Sequence, residues 1–128
     1  MMLNKPIKAE LAALPPYRST QHIPAEDKII HMHFFVDPCH WLVAEYDPEF
    51  EIFFGYVNLG DASLAEWGDF SLQELEEVNV YGNQIVRDPT WQPTTFAEIK
   101  WQEAEVIVLF VKKERPEGKP TDLSGEKR

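Results

Sequence analysis

The sequence predicts a single α+β domain, an antiparallel sheet of four to five strands built around one central hairpin and covered by short helices. Three observations predict it. Residues 29–59 (IIHMHFFVDPCHWLVAEYDPEFEIFFGYVNL) are dense in aromatic and β-branched residues and are broken only at Asp37-Pro38 and Asp47-Pro48, as successive strands joined by turns would be. Ser71/Glu74 and Thr95/Glu98 have the spacing of capping boxes, which mark two helix starts. Ile7, Leu11 and Leu14 recur at helical spacing near the N-terminus. A chain of 128 residues is one domain by size, with room for one modest core. Residues 1–113 are read as the globular domain, and residues 114–128, rich in Pro, Gly and charge, as a flexible tail.

In chain order, Asn4 is placed to cap a first helix with Pro6 in its first turn, and Pro15-Pro16 ends it. Tyr17–Lys28 reads as a connection. Ile29–Val36 is the first strand, with His31, His33 and Phe35 on one face, and Asp37–His40 is a turn. Trp41–Asp47 and Glu51–Leu59 flank the turn Asp47-Pro48-Glu49-Phe50, where Pro48 presets the first corner and Asp47 can bond the backbone ahead. Pairing Tyr46 with Glu51 then puts Trp41, Val43, Glu45, Ile52, Phe54 and Tyr56 on one face and Leu42, Ala44, Tyr46, Phe53, Gly55 and Val57 on the other. Both faces are largely apolar, so both are expected to be covered. Gly55 is costly inside a strand unless a large neighbour, a ring for example, needs its space. Gly60–Ala65 is a loop, Glu66–Phe70 a short strand, and Ser71 starts a helix buried through Leu72, Leu75 and Val78, with Phe70 and Leu75 as a hydrophobic staple. Gln84–Asp88 is extended before Pro89. Glu105–Lys112 reads either as a final strand or as a continuation of the helix carrying Phe96 and Ile99.

Composition limits the function. Twelve basic residues face twenty-two acidic ones, a formal net charge of −10. Between Ile29 and Val86 there is no Lys or Arg, against eleven acids: Asp37, Glu45, Asp47, Glu49, Glu51, Asp61, Glu66, Asp69, Glu74, Glu76 and Glu77. Such a body repels phosphate backbones, so direct nucleic-acid binding is not expected. The acidity serves either solubility or a partner with a basic surface. The longest apolar run, Val106–Val111, is too short to cross a bilayer, the start lacks a signal-peptide pattern, and Cys39 is the lone cysteine. A cytoplasmic protein without membrane contact is expected.

At these positions the chain resembles a known family. The residues are Leu14-Pro15-Pro16-Tyr17, Phe35 and Pro38 before Trp41, Glu45, Phe54-Gly55, Gly68 and Phe70 before Ser71-Leu72-Gln73-Glu74-Leu75-Glu76, Arg87-Asp88, and Pro93-Thr94. Their order and spacing are similar to a family of small domains of unknown function. Its members are carried by bacteria, phages and plasmids, often within mobile elements alongside antirestriction proteins. The resemblance runs from Glu10 to Ile99, and the segment from Lys100 onward falls outside it. This chain departs from the pattern in a shorter Pro38–Trp41 turn and in Val86 where an acid commonly precedes Arg-Asp. The resemblance implies a mobile-element setting and carries over no catalytic residue.

The residues themselves offer three constellations. Arg87 is the one base between Lys28 and Lys100, so it is expected to reach an acid on the hairpin, Glu45 first and Glu66 second, through paired hydrogen bonds. Such a pair ties strands together, or it lines a small polar pocket with Trp41, Tyr56 and Asp88. His31, His33 and His40 form a weak metal-ligand pattern, with ordinary strand histidines as the expectation, so neither a metal nor a cofactor is assigned. Cys39 beside His40 lacks the third, orienting group of a nucleophilic site, and no glycine-rich phosphate loop is present. The reading that follows is a non-enzymatic accessory or protein-interaction domain of a mobile genetic element. An acidic, nucleic-acid-mimicking inhibitor of a restriction or defence enzyme is the alternative, and a small enzyme with a Glu/Arg/Asp pocket the third.

Overall fold

In the computed structural model, which describes residues 2–99, five antiparallel strands form one sheet in the order β5-β4-β3-β2-β8. These are β2 (Met32–Val36), β3 (Cys39–Asp47), β4 (Ile52–Asn58), β5 (Glu66–Ser71) and β8 (Val86–Arg87). Two-residue strands add small ladders: β1 (Ile29–Ile30) with β9 (Thr94–Thr95), and β6 (Asn79–Val80) with β7 (Asn83–Gln84). The helices are short: α1 (Lys8–Ala12), α2 (Leu72–Glu77) and a turn of helix at residues 96–99. The α+β class, the single small domain and the central hairpin are as expected. The choice between strand and helix at Glu105–Lys112, and the tail 114–128, lie outside the described residues. Among the described residues no helix is long and apolar enough to cross a membrane.

The sheet is covered on both faces, as its two-sided apolar pattern requires. One face buries Met32, Phe34, Trp41, Val43, Tyr46, Phe53 and Phe70 against Leu11 and Leu14 from the α1 region, Leu72 and Leu75 of α2, and Ile85. The opposite face buries Ile30, Leu42 and Ala44 beneath Phe96 and Ile99, with Phe54, Tyr56, Trp67 and Trp91 packed around them. The α2 start follows its local chemistry: Ser71 Oγ accepts from Glu74 N–H at 2.9 Å and Glu74 Oε1 accepts from Ser71 N–H at 3.0 Å, while Phe70 and Leu75 are both buried.

The hairpin register differs from the one expected. Asp47 pairs with Ile52 and Tyr46 with Phe53, not with Glu51, because Glu51 takes a left-handed conformation (φ 55°) and stays in the loop. Asp47 does bond ahead, accepting from Glu49 N–H at 2.9 Å. A slip of two residues preserves sidedness, so this correction alone would leave the faces intact. The larger correction is a bulge between Val43 and Glu45, with Val43 opposite Gly55 and Glu45 opposite Phe54. The extra residue puts Trp41 and Val43 on the face covered by α1 and α2 and Glu45, Phe54 and Tyr56 on the other. Gly55 belongs to this device. A Cβ there would stand 1.7 Å from the Leu42 carbonyl oxygen, so it is backbone, not a ring, that claims the space.

The N-terminal segment also departs from its expectation. Asn4 is not a helix cap; it adopts φ 63° and its side-chain amide donates to the Arg87 carbonyl at 3.3 Å. Helix α1 starts after Ile7, which is 63% exposed, while Leu11 and Leu14 are buried. The first strand is split at His31, whose N–H donates to Val43 O at 2.8 Å, so that β1 is free to pair with β9.

Candidate functional site

The five residues expected to line one pocket are held in separate assemblies. Trp41 is core on the face covered by α1 and α2, and Tyr56 packs on the other face against Phe96 and Trp67, with ring centroids 4.7 and 5.6 Å away. Glu45 and Arg87 do not meet.

Glu45 is 2% exposed, and its position on β3 brings it under the Tyr17–Lys28 connection. Oε1 accepts from Arg18 N–H at 2.6 Å, and Oε2 from Thr20 N–H at 3.0 Å and from the Thr20 hydroxyl. Lys28 is itself 8% exposed; its ammonium lies 3.1 Å from Thr20 Oγ1 and also donates to the Thr20 carbonyl. The buried carboxylate therefore finds two backbone donors, a hydroxyl and, one group further on, a cation. The expectation of Arg87 as its partner assumed that only the central stretch could supply a charge. The charge comes instead from Lys28, just before the strands begin. This assembly is a clasp that fastens residues 17–20 to the sheet; Tyr46 N–H to Pro15 O at 2.9 Å and Tyr17 N–H to Tyr46 O at 3.1 Å complete it.

Arg87 lies on β8, beyond β2, and forks onto Glu10 of α1: Nη1–Oε1 2.7 Å and Nη2–Oε2 2.9 Å. The guanidinium, helped by Ile7 N–H, holds the Glu10 carboxyl down at about 2. Its task is to pin α1 to the sheet edge. Nothing in the order of residues 1–28 singles out Glu10, because this contact joins ends of the chain that sequence spacing does not relate.

Asp88 turns to the opposite face and starts a chain of buried groups. Its Oδ2 is 3.4 Å from His33 Nδ1, and His33 Nε2 is 2.9 Å from His40 Nδ1. The carboxylate at His33 Nδ1 favours the hydrogen there, so His33 Nε2 accepts from His40 Nδ1–H. His40 Nε2 is then a lone pair, 1% of its residue is exposed, and among the described residues it has no hydrogen-bond partner. Burial, reinforced by the neighbouring His33, pushes His40 down to about 4; burial also lowers His33, against the pull of Asp88. Burial pushes Asp88 up, but the Thr90 hydroxyl and N–H, together with His33, bring it below its ordinary value. Of the weak His31, His33 and His40 pattern the structure thus brings together two, but the ring nitrogens share a proton across 2.9 Å, a gap too small for a metal between them. Among the described residues no three His, Cys, Asp or Glu side chains gather as ligands. Cys39 and His40 point to opposite faces of β3, and burial followed by Asp37 raises the Cys39 thiol, so the pair does not make a thiolate nucleophile.

An open cleft of about 350 Å³ lies along the β5 edge, lined by Val57, Leu59, Asp61, Leu64, Glu66, Trp67, Gly68 and Asp69. Leu59 and Leu64 are 63% and 76% exposed, apolar side chains standing among three carboxylates. Asp61 accepts from Ser63 N–H and Oγ at 3.0 and 2.6 Å, fixing the turn that presents Leu64. Asp69 accepts from the Tyr17 hydroxyl at 2.6 Å, which raises the phenol above its ordinary value. The signal that marks this site in the sequence is the pair of leucines inside an otherwise polar loop, Gly60–Ala65 and its border.

The fold and sites so described define a small α+β domain with an acidic open edge. The model of a family described as protein of unknown function (DUF2958) matches residues 3–106, and the chain belongs to that family. The match extends beyond the Glu10–Ile99 stretch that carries the resemblance, past Lys100 as well. No curated protein and no solved structure matches the chain.

Proposed function

We propose that this chain is a non-enzymatic protein-interaction domain, a cytoplasmic accessory of a mobile genetic element, whose acidic body receives a basic surface of another protein. The observation that carries the reading is the β5 cleft, where exposed Leu59 and Leu64 stand with Asp61, Glu66 and Asp69. Exposed apolar groups rimmed by charge of one sign are the composition of a docking site for a partner of opposite charge. The mobile-element setting rests on the resemblance carried by the Leu14-Pro15-Pro16-Tyr17 to Pro93-Thr94 pattern. Separation of Glu45, Arg87 and Asp88 into three structural assemblies argues against the small-enzyme reading. The test is capture from a host lysate by the full chain and by Asp61→Asn/Glu66→Gln/Asp69→Asn, with salt raised stepwise. A specific partner should be held by the parent chain, released as exposed charges are screened, and captured several-fold less by the triple variant. A partner that ignores both salt and the variant refutes the reading. A captured nucleic-acid enzyme that free DNA displaces would establish charge mimicry in its place.

A further inference from the structure

Two glycines face each other across β4 and β5, and they serve different purposes. Gly55 is demanded by the fold, since any side chain would strike the Leu42 carbonyl. Gly68 is its register partner, yet a Cβ built there meets nothing within 4 Å. Glycine inside a strand weakens it, and packing gives no reason for the loss at position 68. What its missing side chain leaves is a notch on the edge strand, bordered by Val57, Leu59 and Leu64 of the cleft and by Glu66 on the same face of β5.

Strand β5 is the end of the five-stranded sheet, and among the described residues nothing pairs with its outer side. Edge strands offer a row of unpaired N–H and C=O groups, which proteins blunt with charge or use for strand addition. Glu66 and Asp69 blunt this edge toward a second copy of the chain, which would bring the same two acids against them. They do the reverse toward a basic segment. We propose that β5 is a docking strand: an extended segment of the partner protein adds beside it, seating a bulky apolar side chain in the notch over Gly68 and basic side chains opposite Glu66 and Asp69. The proposal rests on the basic-partner reading above and specifies its mode. Because residues 66, 68 and 69 set the register, the segment carries two basic residues three apart, with an apolar residue next to one of them on the inner side.

A random nonapeptide phage library panned on the full chain at low ionic strength tests this. Enrichment of that spacing is expected, and the leading peptide is then synthesised and titrated. Gly68→Val sets a branched side chain where a Cβ meets nothing within 4 Å, so it should weaken the peptide at least tenfold with no loss of melting temperature. Methylating alternate backbone amides of the peptide, on the side that faces β5, should weaken it at least tenfold; this arm holds even if the glycine variant fails to fold. Glu66→Gln/Asp69→Asn should weaken it similarly and flatten its salt dependence. A panel with no enriched spacing overturns the proposal. So do peptides that bind Gly68→Val and their methylated forms unchanged; if these still need the two acids, strand addition fails while the basic-partner reading survives. Peptides that need the notch and the amides but ignore the acids and salt refute the basic-partner reading itself.

Discussion

At Glu45 a carboxylate that is 2% exposed is tolerated because three hydrogen bonds and a nearby ammonium replace its water. Removing the acceptor strands the Arg18 and Thr20 donors and the Lys28 cation, so Glu45→Ala is expected to cost about 3 kcal/mol in chemical denaturation, well above an ordinary surface change. Since Arg87 serves Glu10 instead, Arg87→Met and Glu45→Gln should add to within about 0.5 kcal/mol in a double-mutant cycle, and Arg87→Met with Glu10→Gln should not. The histidine chain predicts a pH dependence. The folded state holds His40 at about 4, below its unfolded value near 6.5, so the unfolded chain takes up the proton first. Stability from this residue is complete above pH about 6.5 and is lost as pH falls toward about 4, at most about 3 kcal/mol. Denaturation midpoints measured across that window should fall for the parent chain and fall less steeply for His40→Leu.

Among the elements, α2 was legible in advance because its signals are local: a capping box and a staple lie within six residues of chain. The hairpin strands were legible for the same reason, but not the length of their loop, which takes in Glu51. What lay beyond local reading was the bulge at Ala44, since nothing in Trp41–Asp47 distinguishes a regular strand from one carrying an extra residue. Only Gly55, on the neighbouring strand, hinted at an unusual approach, and it did so without naming backbone as the intruder. The two sheet glycines supply a direct comparison. Gly55→Ala forces a methyl to 1.7 Å from the Leu42 oxygen and is expected to cost 4 kcal/mol or more (roughly, as for severe overpacking), or to prevent folding. Gly68→Ala meets nothing and should leave stability unchanged or raise it by about 0.5 kcal/mol. Thermal melts of the two variants decide this.

For the whole molecule, the charge distribution was readable and the ion-pair map was not. Counting residues finds the acidic body, but which of the few cations serves which acid depends on chain ends brought together by folding: Lys28 beside Glu45, Glu10 beside Arg87, Lys5 with Glu76 at 2.7 Å. All three bases lie outside the Ile29–Val86 stretch; Lys5 reaches Glu76 within it and Lys28 stands one hydroxyl away from Glu45, which leaves acids in excess. At a net charge of −10 the folded state carries self-repulsion that salt relieves. Its melting temperature should rise by a few degrees between about 0.02 and 0.2 M sodium chloride, and a fall would mean that the surface ion pairs outweigh the repulsion.

The bulge at Ala44 also determines which kinds of mutation this chain can absorb. A β-strand is read in twos, and Ala44 is where β3 changes phase: Cys39–Val43 are counted in one phase, Glu45–Asp47 in the other. Substituting Ala44 alters one side chain. Deleting it removes the residue that has no partner on β4 and leaves Val43 opposite Gly55 and Glu45 opposite Phe54, so His40, Leu42 and Glu45 keep their faces. Ala44 is 1% exposed in the core with Phe96 and Ile99, so large side chains should be refused at position 44 while a gap there spares the sidedness of β3, a tolerance to length without tolerance to bulk.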